Sequence, residues 1–224
     1  MLNFEVINPT RIVFGKDQLE RLPQLITEFS NKKRILLAYG GGSIKTTGIL
    51  NKILMHLTDF EVIEFGGIEA NPQFTTLMKG VELAREKEID FILAVGGGSV
   101  IDGVKFMTGA FYYEGDSYEV LQRKEGKVFT KALPFGTYLT LPATGSEANS
   151  GAVISREELK EKLTMGGPLF FPKFSVCDPT VVATLPKRQI ANGITDAFMH
   201  TLEQYLTFPT ANLLQERQAE SILQ

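Results

Sequence analysis

The chain has 224 residues, 43% of them hydrophobic, and a formal net charge of -3 at pH 7. This composition supports a full hydrophobic core in one large domain, or in one domain and part of another. The sequence contains no block of basic residues, no N-terminal basic segment followed by a long apolar one, and no apolar run of about 18 residues. We therefore expect a cytoplasmic protein that acts on small molecules, without a nucleic-acid or membrane surface.

Alternating strand and helix patterns run through the first part of the chain. Apolar runs predict strands, and apolar residues at helical spacing predict the helices between them. Such alternation is typical of a parallel sheet that is covered by helices on both faces. The predicted strands lie at 34–39, 61–65, 91–95, 138–141, 152–155 and 174–177, after two short strands or an arm at 4–14, and the predicted helices lie at 18–29, 50–57 and 74–87.

A change to helical patterning after Pro186 predicts a domain boundary. From Lys187 to Gln224 the apolar residues recur at helical spacing, with breaks expected near Gly193 and Pro209. We therefore expect an α/β domain over 1–186 and the beginning of an all-helical domain over 187–224.

The segment FILAVGGGSVIDGVKF, residues 91–106, predicts a strand that leads directly into a helix through the GGGS sequence at 96–99. Glycines allow the backbone to approach an anion, and the N–H groups and dipole at a helix N-terminus attract one. Asp102 is expected in the first turn of this helix, either as a cap or as a hydrogen-bond partner of a ligand. The pattern favours a nucleotide site over a tight turn alone.

Two further polar segments are predicted to lie near this motif. A second GGGS turn, at 40–43, follows the strand at 34–39, and ligands of parallel sheets bind beyond the carboxyl ends of the strands. The segment at 135–155, FGTYLTLPATGSEANSGAVIS, is rich in hydroxyl-bearing residues and glycine. This composition suits either a loop that binds a polar ligand or a turn-rich β-excursion, and it does not separate the two.

A carboxylate and an imidazole share one face of a predicted helix. In NGITDAFMHTLEQYL, Asp196 and His200 are four residues apart and therefore lie one above the other. Mixed oxygen and nitrogen ligands suit iron(II) or zinc, but an ordinary Asp–His pair has the same spacing. On spacing alone the ordinary pair is the commoner explanation, because a metal site requires more than two protein ligands.

The motifs, taken in order, resemble the iron-containing (group III) alcohol dehydrogenase family, especially its aldehyde-reductase and butanol-dehydrogenase branch. They are PTRIVFG, YGGGS, FGGIEANP, AVGGGSVIDGVKF, LTLPATGSEANSGAVIS and NGITDAFMHTLEQY, and together they span nearly the whole chain. The resemblance implies a dehydroquinate-synthase-like fold, in which a Rossmann-like, parallel-sheet nucleotide-binding domain precedes an all-helical one. It also implies hydride transfer between a nicotinamide cofactor and a small alcohol or aldehyde, in a homodimer formed through the arm at 4–14.

The resemblance also implies roles for individual residues, which fall into a cofactor site and a metal site for Fe2+ or Zn2+. The implied cofactor residues are Gly97, Gly98 and Ser99 at the pyrophosphate, Asp102 close to cofactor or substrate, Thr140, Thr144 and Ser146 near the nicotinamide half, and Lys162 on the ribose side. The implied metal ligands are Asp196 and His200.

One departure from the family pattern concerns the metal site. The family completes this site with two histidines on later helices, whereas the other histidine of this chain is His56, in the first predicted domain. We therefore expect the chain to correspond to the N-terminal portion of a longer enzyme and to be inactive alone. Two alternatives stay open: a nucleotide-binding module without catalysis, and a dehydroquinate-synthase-like lyase.

The second GGGS turn predicts the choice of cofactor. NAD-preferring relatives carry an aspartate after the second strand, whereas this chain has Gly40, Gly41, Gly42 and Ser43 there, followed by Lys45. Backbone N–H groups, a hydroxyl and an ammonium suit a dianionic 2′-phosphate, and no carboxylate stands in this turn. NADP(H) is therefore expected to bind more tightly than NAD(H). The alternative is a simple tight turn in an enzyme that accepts both cofactors.

Overall fold

A computed structural model of the chain describes residues 3, 5–124, 127–207 and 212–224. The chain divides into two compact units, Met1–Val182 and Ala183–Gln224. Within the described ranges, the strands are β1 Arg11–Phe14, β2 Arg34–Tyr39, β3 Glu61–Phe65, β4 Phe91–Gly97, β5 Phe135–Leu141, β6 Ala152–Arg156, β7 Glu161–Met165 and β8 Phe174–Cys177.

The helices of the first unit connect these strands. Short 3-10 turns lie at Gln18–Arg21, Glu157–Leu159 and Pro168–Phe170. The α-helices are α1 Leu22–Thr27, α2 Ser43–Thr46, α3 Ile49–His56, α4 Phe74–Glu86, α5 Gly98–Ala110, α6 Ser117–Leu121 and α7 Pro179–Val182.

In the described part of the first unit, six parallel strands form one sheet in the order β1-β8-β5-β4-β2-β3. The prediction of a parallel, Rossmann-like sheet is confirmed. Strands β6 and β7 form a separate antiparallel hairpin between β5 and β8 in the chain. The central strands β2 and β4 are apolar almost throughout because both faces of the sheet are buried.

Alternate residues of the central strands face two separate cores. Leu36 and Ile92 pack with residues of α4 and α5. Ile35 and Leu93, their neighbours in sequence, pack on the opposite face with residues of α1 and α3. The helices that follow β2 and β4 therefore lie on opposite faces of the sheet. This is a topological switch point, the place where open α/β sheets bind their ligands.

Several boundaries differ from the predicted ones. The helix predicted at 18–29 is instead a 3-10 turn followed by α1, which has Pro23 in its first turn. The strand predicted at 152–155 has a hairpin partner, β7, which the sequence interpretation missed. Of the arm predicted at 4–14, only Arg11–Phe14 forms a strand, and Phe4 lies outside the described residues.

In the described part of the second unit, 183–207 and 212–224, there are two helices, α8 Lys187–Thr207 and α9 Leu213–Leu223, which contact each other. The break expected near Gly193 is wrong, because α8 runs through this glycine without interruption. The break expected at Pro209 lies outside the described residues. Across the described part of the chain, none of the helices combines the length and the apolar character needed to cross a membrane.

Candidate functional site

The predicted site residues of the first unit follow neighbouring strands at one edge of the sheet. Strands β2, β4 and β5 are adjacent and parallel, so the segments that leave their carboxyl ends lie at the same edge. These segments are 40–43 after β2, the start of α5 after β4, and 142–151 after β5. The switch point between β2 and β4 therefore coincides with both GGGS sequences.

No loop separates β4 from α5. The strand extends to Gly97 and the helix begins at Gly98, so the GGGS sequence itself forms the junction. Gly97, the N-cap residue, has a φ of -90° and a ψ of -168°, an extended conformation that any residue can adopt. It has no side chain to cap the helix, and the first N–H groups of an α-helix have no partner within the helix. They are available to an anion.

The glycines at this junction are needed because other parts of the chain lie close to them. A Cβ at Gly96 would approach Val100 Cγ2 to 2.6 Å, and one at Gly97 would lie 3.2 Å from Leu141 Cβ. A Cβ at Gly98 would overlap the Thr144 side chain, with Cγ2 at 2.7 Å. Gly98 therefore lets the segment after β5 pack directly against the N-terminus of α5. The sequence interpretation had attributed these glycines to ligand approach alone.

Thr140 lies at an irregularity in the sheet. In the pairing of β4 with β5, Gly96 is opposite Leu139 but Gly97 is opposite Leu141, so the register shifts by one residue at Thr140. Such bulges redirect a side chain and are frequent next to active sites. Thr140 is half-buried, at the carboxyl end of β5. Its predicted place near the cofactor stays a prediction.

Asp102 lies in the second turn of α5, not in the first, so its predicted role as a helix cap is wrong. Its carboxylate instead accepts hydrogen bonds from Ser146 Oγ at 2.7 Å and from the Val153 backbone N at 3.0 Å. Burial raises the pKa of Asp102, whereas these two hydrogen bonds and the charge of Lys105 act in the opposite direction. Asp102 and Ser146 thus contact each other, as part of one hydrogen-bonded cluster with Thr144.

Lys105 is a buried residue beside this cluster that sequence reasoning missed. Its side chain is 0% exposed, and Nζ donates to Asn149 Oδ1 at 2.9 Å and to the Gly151 carbonyl at 2.7 Å. Burial lowers the pKa of Lys105 to about 8, although the negative charges of Asp102 and Glu147 oppose this shift. The available signal was the spacing in DGVKF, which places Lys105 on the same helix face as Asp102.

Ser99 and Lys162 both contact the segment that follows β3. Ser99 Oγ donates to the Ala70 carbonyl at 2.5 Å, and Lys162 Nζ donates to Asn71 Oδ1 at 3.1 Å. The ammonium of Lys162 is exposed and comes from β7, in the hairpin that sequence reasoning only half identified. Ser99 and Lys162 are therefore brought to neighbouring residues of one segment at the carboxyl edge.

The second GGGS turn is open to solvent but is not free of negative charge nearby. A Cβ at Gly41 or Gly42 would have no atom within 4 Å, and Gly42 has a φ of +104°, which favours glycine. Lys45 Nζ lies 3.8 Å from Glu64 Oε2 and over the ring of Tyr39. A hydrogen bond with Tyr39, followed by the charge of Glu64, raises the pKa of Lys45. The sequence position of this lysine did not reveal that carboxylate.

In the second unit, Asp196 and His200 lie on one face of α8. Asp196 Oδ1 is 3.6 Å from His200 Nε2, and both side chains are exposed. The pair therefore offers an oxygen and a nitrogen ligand to the same point. Among the residues that the structure describes, no group of three or more histidine, cysteine, aspartate or glutamate side chains is placed to hold a metal ion. Asp196 and His200 fit two positions of a metal site and leave the others to further ligands.

Comparison with known proteins gives a family match. The model of the iron-containing alcohol dehydrogenase family matches residues 9–179. The NADPH-dependent aldehyde reductase YqhD of Escherichia coli is 49% identical to this chain, over all of this chain and 57% of that protein. NADH-dependent butanol dehydrogenase A of Clostridium acetobutylicum is 41% identical over the same shares. The chain thus spans less than two thirds of the length of these curated relatives.

Solved structures agree with the sequence comparison. The crystal structure of Escherichia coli YqhD superimposes with a TM-score of 0.89 at 48% identity, over 98% of this chain and 56% of that one. NADH-dependent butanol dehydrogenase A of Thermotoga maritima gives a TM-score of 0.89 at 36% identity, over 99% of this chain and 55% of that one. The names of these relatives include both NADPH and NADH enzymes.

Proposed function

This chain belongs to the iron-containing alcohol dehydrogenase family, and from that premise we propose that it is part of an NAD(P)H- and metal-dependent alcohol dehydrogenase or aldehyde reductase. The reaction transfers a hydride between the nicotinamide and the carbonyl carbon of a small aldehyde, and a proton completes the alcohol. The observation that supports this proposal best is the junction of β4 and α5, a glycine-rich helix N-terminus at the switch point of a parallel sheet.

We propose that the carboxyl edge of the first unit binds the dinucleotide. The N–H groups at Gly98 and Ser99, with Gly97 extended before them, hold the pyrophosphate. The side chains that surround this junction orient the remainder of the cofactor. They are Asp102, Thr140, Thr144, Ser146 and Lys162.

We propose that the adenosine end binds at Gly40, Gly41, Gly42 and Ser43, with NADP(H) preferred over NAD(H). The open space at Gly41 admits a 2′-phosphate, and the backbone N–H groups and Ser43 hydroxyl suit it. The Glu64 carboxylate lies against the nearest ammonium, that of Lys45, and competes with a phosphate for it. The ammonium is exposed and keeps rotamer freedom to turn towards a dianion, which attracts it more strongly than one carboxylate does.

We propose that Asp196 and His200 supply two ligands of a divalent metal, Fe2+ or Zn2+. Their donor atoms are 3.6 Å apart and exposed on one helix face, so both can reach one ion. Such a metal, when bound, polarises the carbonyl oxygen of the aldehyde as a Lewis acid. Because catalytic zinc sites commonly use three protein ligands, these 224 residues are expected to bind the dinucleotide without turnover.

Fluorescence titration with NADPH and NADH tests the cofactor proposal directly. The chain should show saturable binding of NADPH, with weaker binding of NADH. In parallel, NADPH oxidation is followed with added aldehyde and Zn2+ or Fe2+, and none is expected. Saturable binding of neither nucleotide would refute the proposed function. Aldehyde-dependent oxidation would instead show that the chain assembles an active site without further ligands.

We also propose that the chain forms a homodimer through the β1 side of the sheet. Strand β1 is at the edge of the sheet, and its outward residues Ile12 and Phe14 are exposed, Phe14 by 71%. Exposed apolar edge strands readily pair with another chain. Sedimentation analysis should therefore show a dimer at micromolar concentration that Phe14→Lys weakens. A monomer in the unmodified chain would contradict this arrangement.

A further inference from the structure

Asp102 joins α5 to the segment that follows β5 and to the strand that comes after this segment. One carboxylate oxygen accepts from the Ser146 hydroxyl at 2.7 Å, and the other accepts from the Val153 backbone N at 3.0 Å. Ser146 lies within the segment and Val153 lies in β6, immediately after it. Both oxygens therefore act as acceptors, which is the pattern of an ionised carboxylate.

Lys105 holds the middle of the same segment. From one turn further along α5, its ammonium donates to the Asn149 side chain and to the Gly151 carbonyl. Asn149 Oδ1 also accepts from the Gly151 backbone N at 3.0 Å, so the lysine locks an existing local turn. Together, Asp102 and Lys105 attach residues 146–153 to α5 at four points.

The Asp102 carboxylate also fixes the direction of a hydroxyl chain. A hydroxyl has one hydrogen to donate, and Ser146 donates its hydrogen to Asp102. The contact of 2.7 Å between Thr144 Oγ1 and Ser146 Oγ therefore requires Thr144 to be the donor. Thr144 Oγ1 further accepts from the Ser146 backbone N at 3.3 Å. Its hydrogen is thus already used, and it offers only a lone pair to a ligand.

This polarity matters because Thr144 lies directly against the α5 N-terminus. The space where Gly98 would carry a Cβ is filled by the Thr144 side chain. Phosphate oxygens at neutral pH are acceptors, so they suit the N–H groups of α5 but not a hydroxyl that can only accept. The groups of a dinucleotide that can donate to Thr144 are its ribose hydroxyls and its amide or amino N–H groups.

We propose that Asp102 and Lys105 are positioning residues, which clamp the 144–153 segment to α5 and orient the hydroxyl chain so that Thr144 accepts a hydrogen bond from a donor group of the dinucleotide. The assignment to a dinucleotide rests on the proposed function. The clamp itself is a property of the chain without ligand, so the two can be tested separately.

Two substitutions of Asp102 distinguish its role in clamping the segment from its role in setting the hydrogen-bond direction of the hydroxyl chain. In Asp102→Asn, the amide oxygen can accept from the Val153 N while the amide NH2 donates to Ser146, which reverses the hydroxyl chain. Asp102→Ala removes both contacts. Hydrogen exchange of the nucleotide-free chain should show that Val153 N–H protection is kept in Asp102→Asn and lost in Asp102→Ala. Equal protection in the alanine variant would overturn the clamp.

Nucleotide titration then tests the polarity. Asp102→Asn should weaken NADPH binding about tenfold, since a hydroxyl that donates where the ligand also donates costs roughly one hydrogen bond. Unchanged affinity in Asp102→Asn would overturn the assigned direction. If the unmodified chain binds no dinucleotide, the proposed function fails and the acceptor role of Thr144 fails with it, while the exchange data still decide the clamp.

Lys105→Met gives an independent test of the second clamp residue. It should lower hydrogen-exchange protection at Gly151, whose N–H depends on the local turn, and weaken NADPH binding. The matched control is Lys79→Met, because Lys79 is exposed on α4 and its replacement removes the same charge. Equal effects of the two substitutions would show that Lys105 acts only through net charge and would overturn its positioning role.

Discussion

Replacing Lys105 by methionine should remove a specific pH dependence from the stability of the chain. Lys105 is fully buried, and burial lowers its pKa to about 8 from an ordinary 10.5. The pKa of Lys105 is lower in the folded chain than in the unfolded chain. At a pH between these two pKa values, the unfolded chain therefore binds more protons. The free energy of unfolding that is due to Lys105 therefore increases as the pH rises through this range.

The magnitude follows from the two pKa values. Below pH 8 the lysine is protonated in both states, and its burial costs about 3 kcal/mol. At pH 9 the folded lysine has lost most of its charge while the unfolded one has kept it, and about 2 kcal/mol of the cost remains. The stability difference between the unmodified chain and Lys105→Met should therefore shift by about 1 kcal/mol between pH 7 and pH 9, in favour of the unmodified chain.

Urea unfolding followed by circular dichroism at the two pH values measures this shift. Lys79→Met is again the control, because it removes the same charge from an exposed position and should leave the stability difference equal at the two pH values. The charged groups that face Lys105 are Asp102 on its own helix and Glu147 in the following segment. If the stability difference stays constant between the two pH values, or changes in favour of Lys105→Met, the lowered pKa of the buried Lys105 is refuted.

Three further predictions concern the two glycine sequences and the metal pair. Gly41→Asp should weaken NADPH binding about five- to thirtyfold, because charge repulsion costs about 1–2 kcal/mol. The control Gly41→Asn should bind NADPH normally in the same fluorescence titration. An equal loss of affinity in both variants would show that the effect is steric. Gly98→Val should abolish dinucleotide binding, because its side chain displaces Thr144, while circular dichroism stays native; unchanged affinity would remove this junction from the site. Calorimetric titration with Zn2+ should give weak binding that His200→Ala abolishes, and a tight stoichiometric metal at Asp196 and His200 would contradict the two-ligand arrangement.

The central sheet could be predicted because its sequence signals are local. Buried strands such as β2 and β4 are short apolar runs that end at glycines, and such runs need no tertiary information to be identified. The boundary errors had local signals too. Pro23 marks a helix start, because proline is tolerated in the first turn, and Leu163 and Met165 alternate with polar residues in β7. A single glycine such as Gly193 costs a long helix only about 1 kcal/mol.

The internal bonding of the candidate site could not be predicted in the same way. Lysine is rarely fully buried, and Lys105 is buried only because Asn149 and Gly151 return to it from more than forty residues later. Likewise, the helical turn in which Asp102 lies depends on where α5 begins. Strand β4 continues to Gly97 and α5 begins at Gly98, so Asp102 lies in the second turn. The sequence therefore identified which segments meet at the carboxyl edge, but not which side chains hold them together.

The cost of burying Lys105 points to a role for this residue in the candidate site. A buried ammonium that costs about 3 kcal/mol is a poor way to stabilise a helix, since apolar residues often replace buried charges at no loss. The cost occurs directly below the segment that carries Thr144 and Ser146, next to the α5 N-terminus. Binding sites require side chains that are fixed before the ligand arrives, even where this lowers stability. The buried lysine is therefore better explained by the geometry of the site than by the stability of the fold.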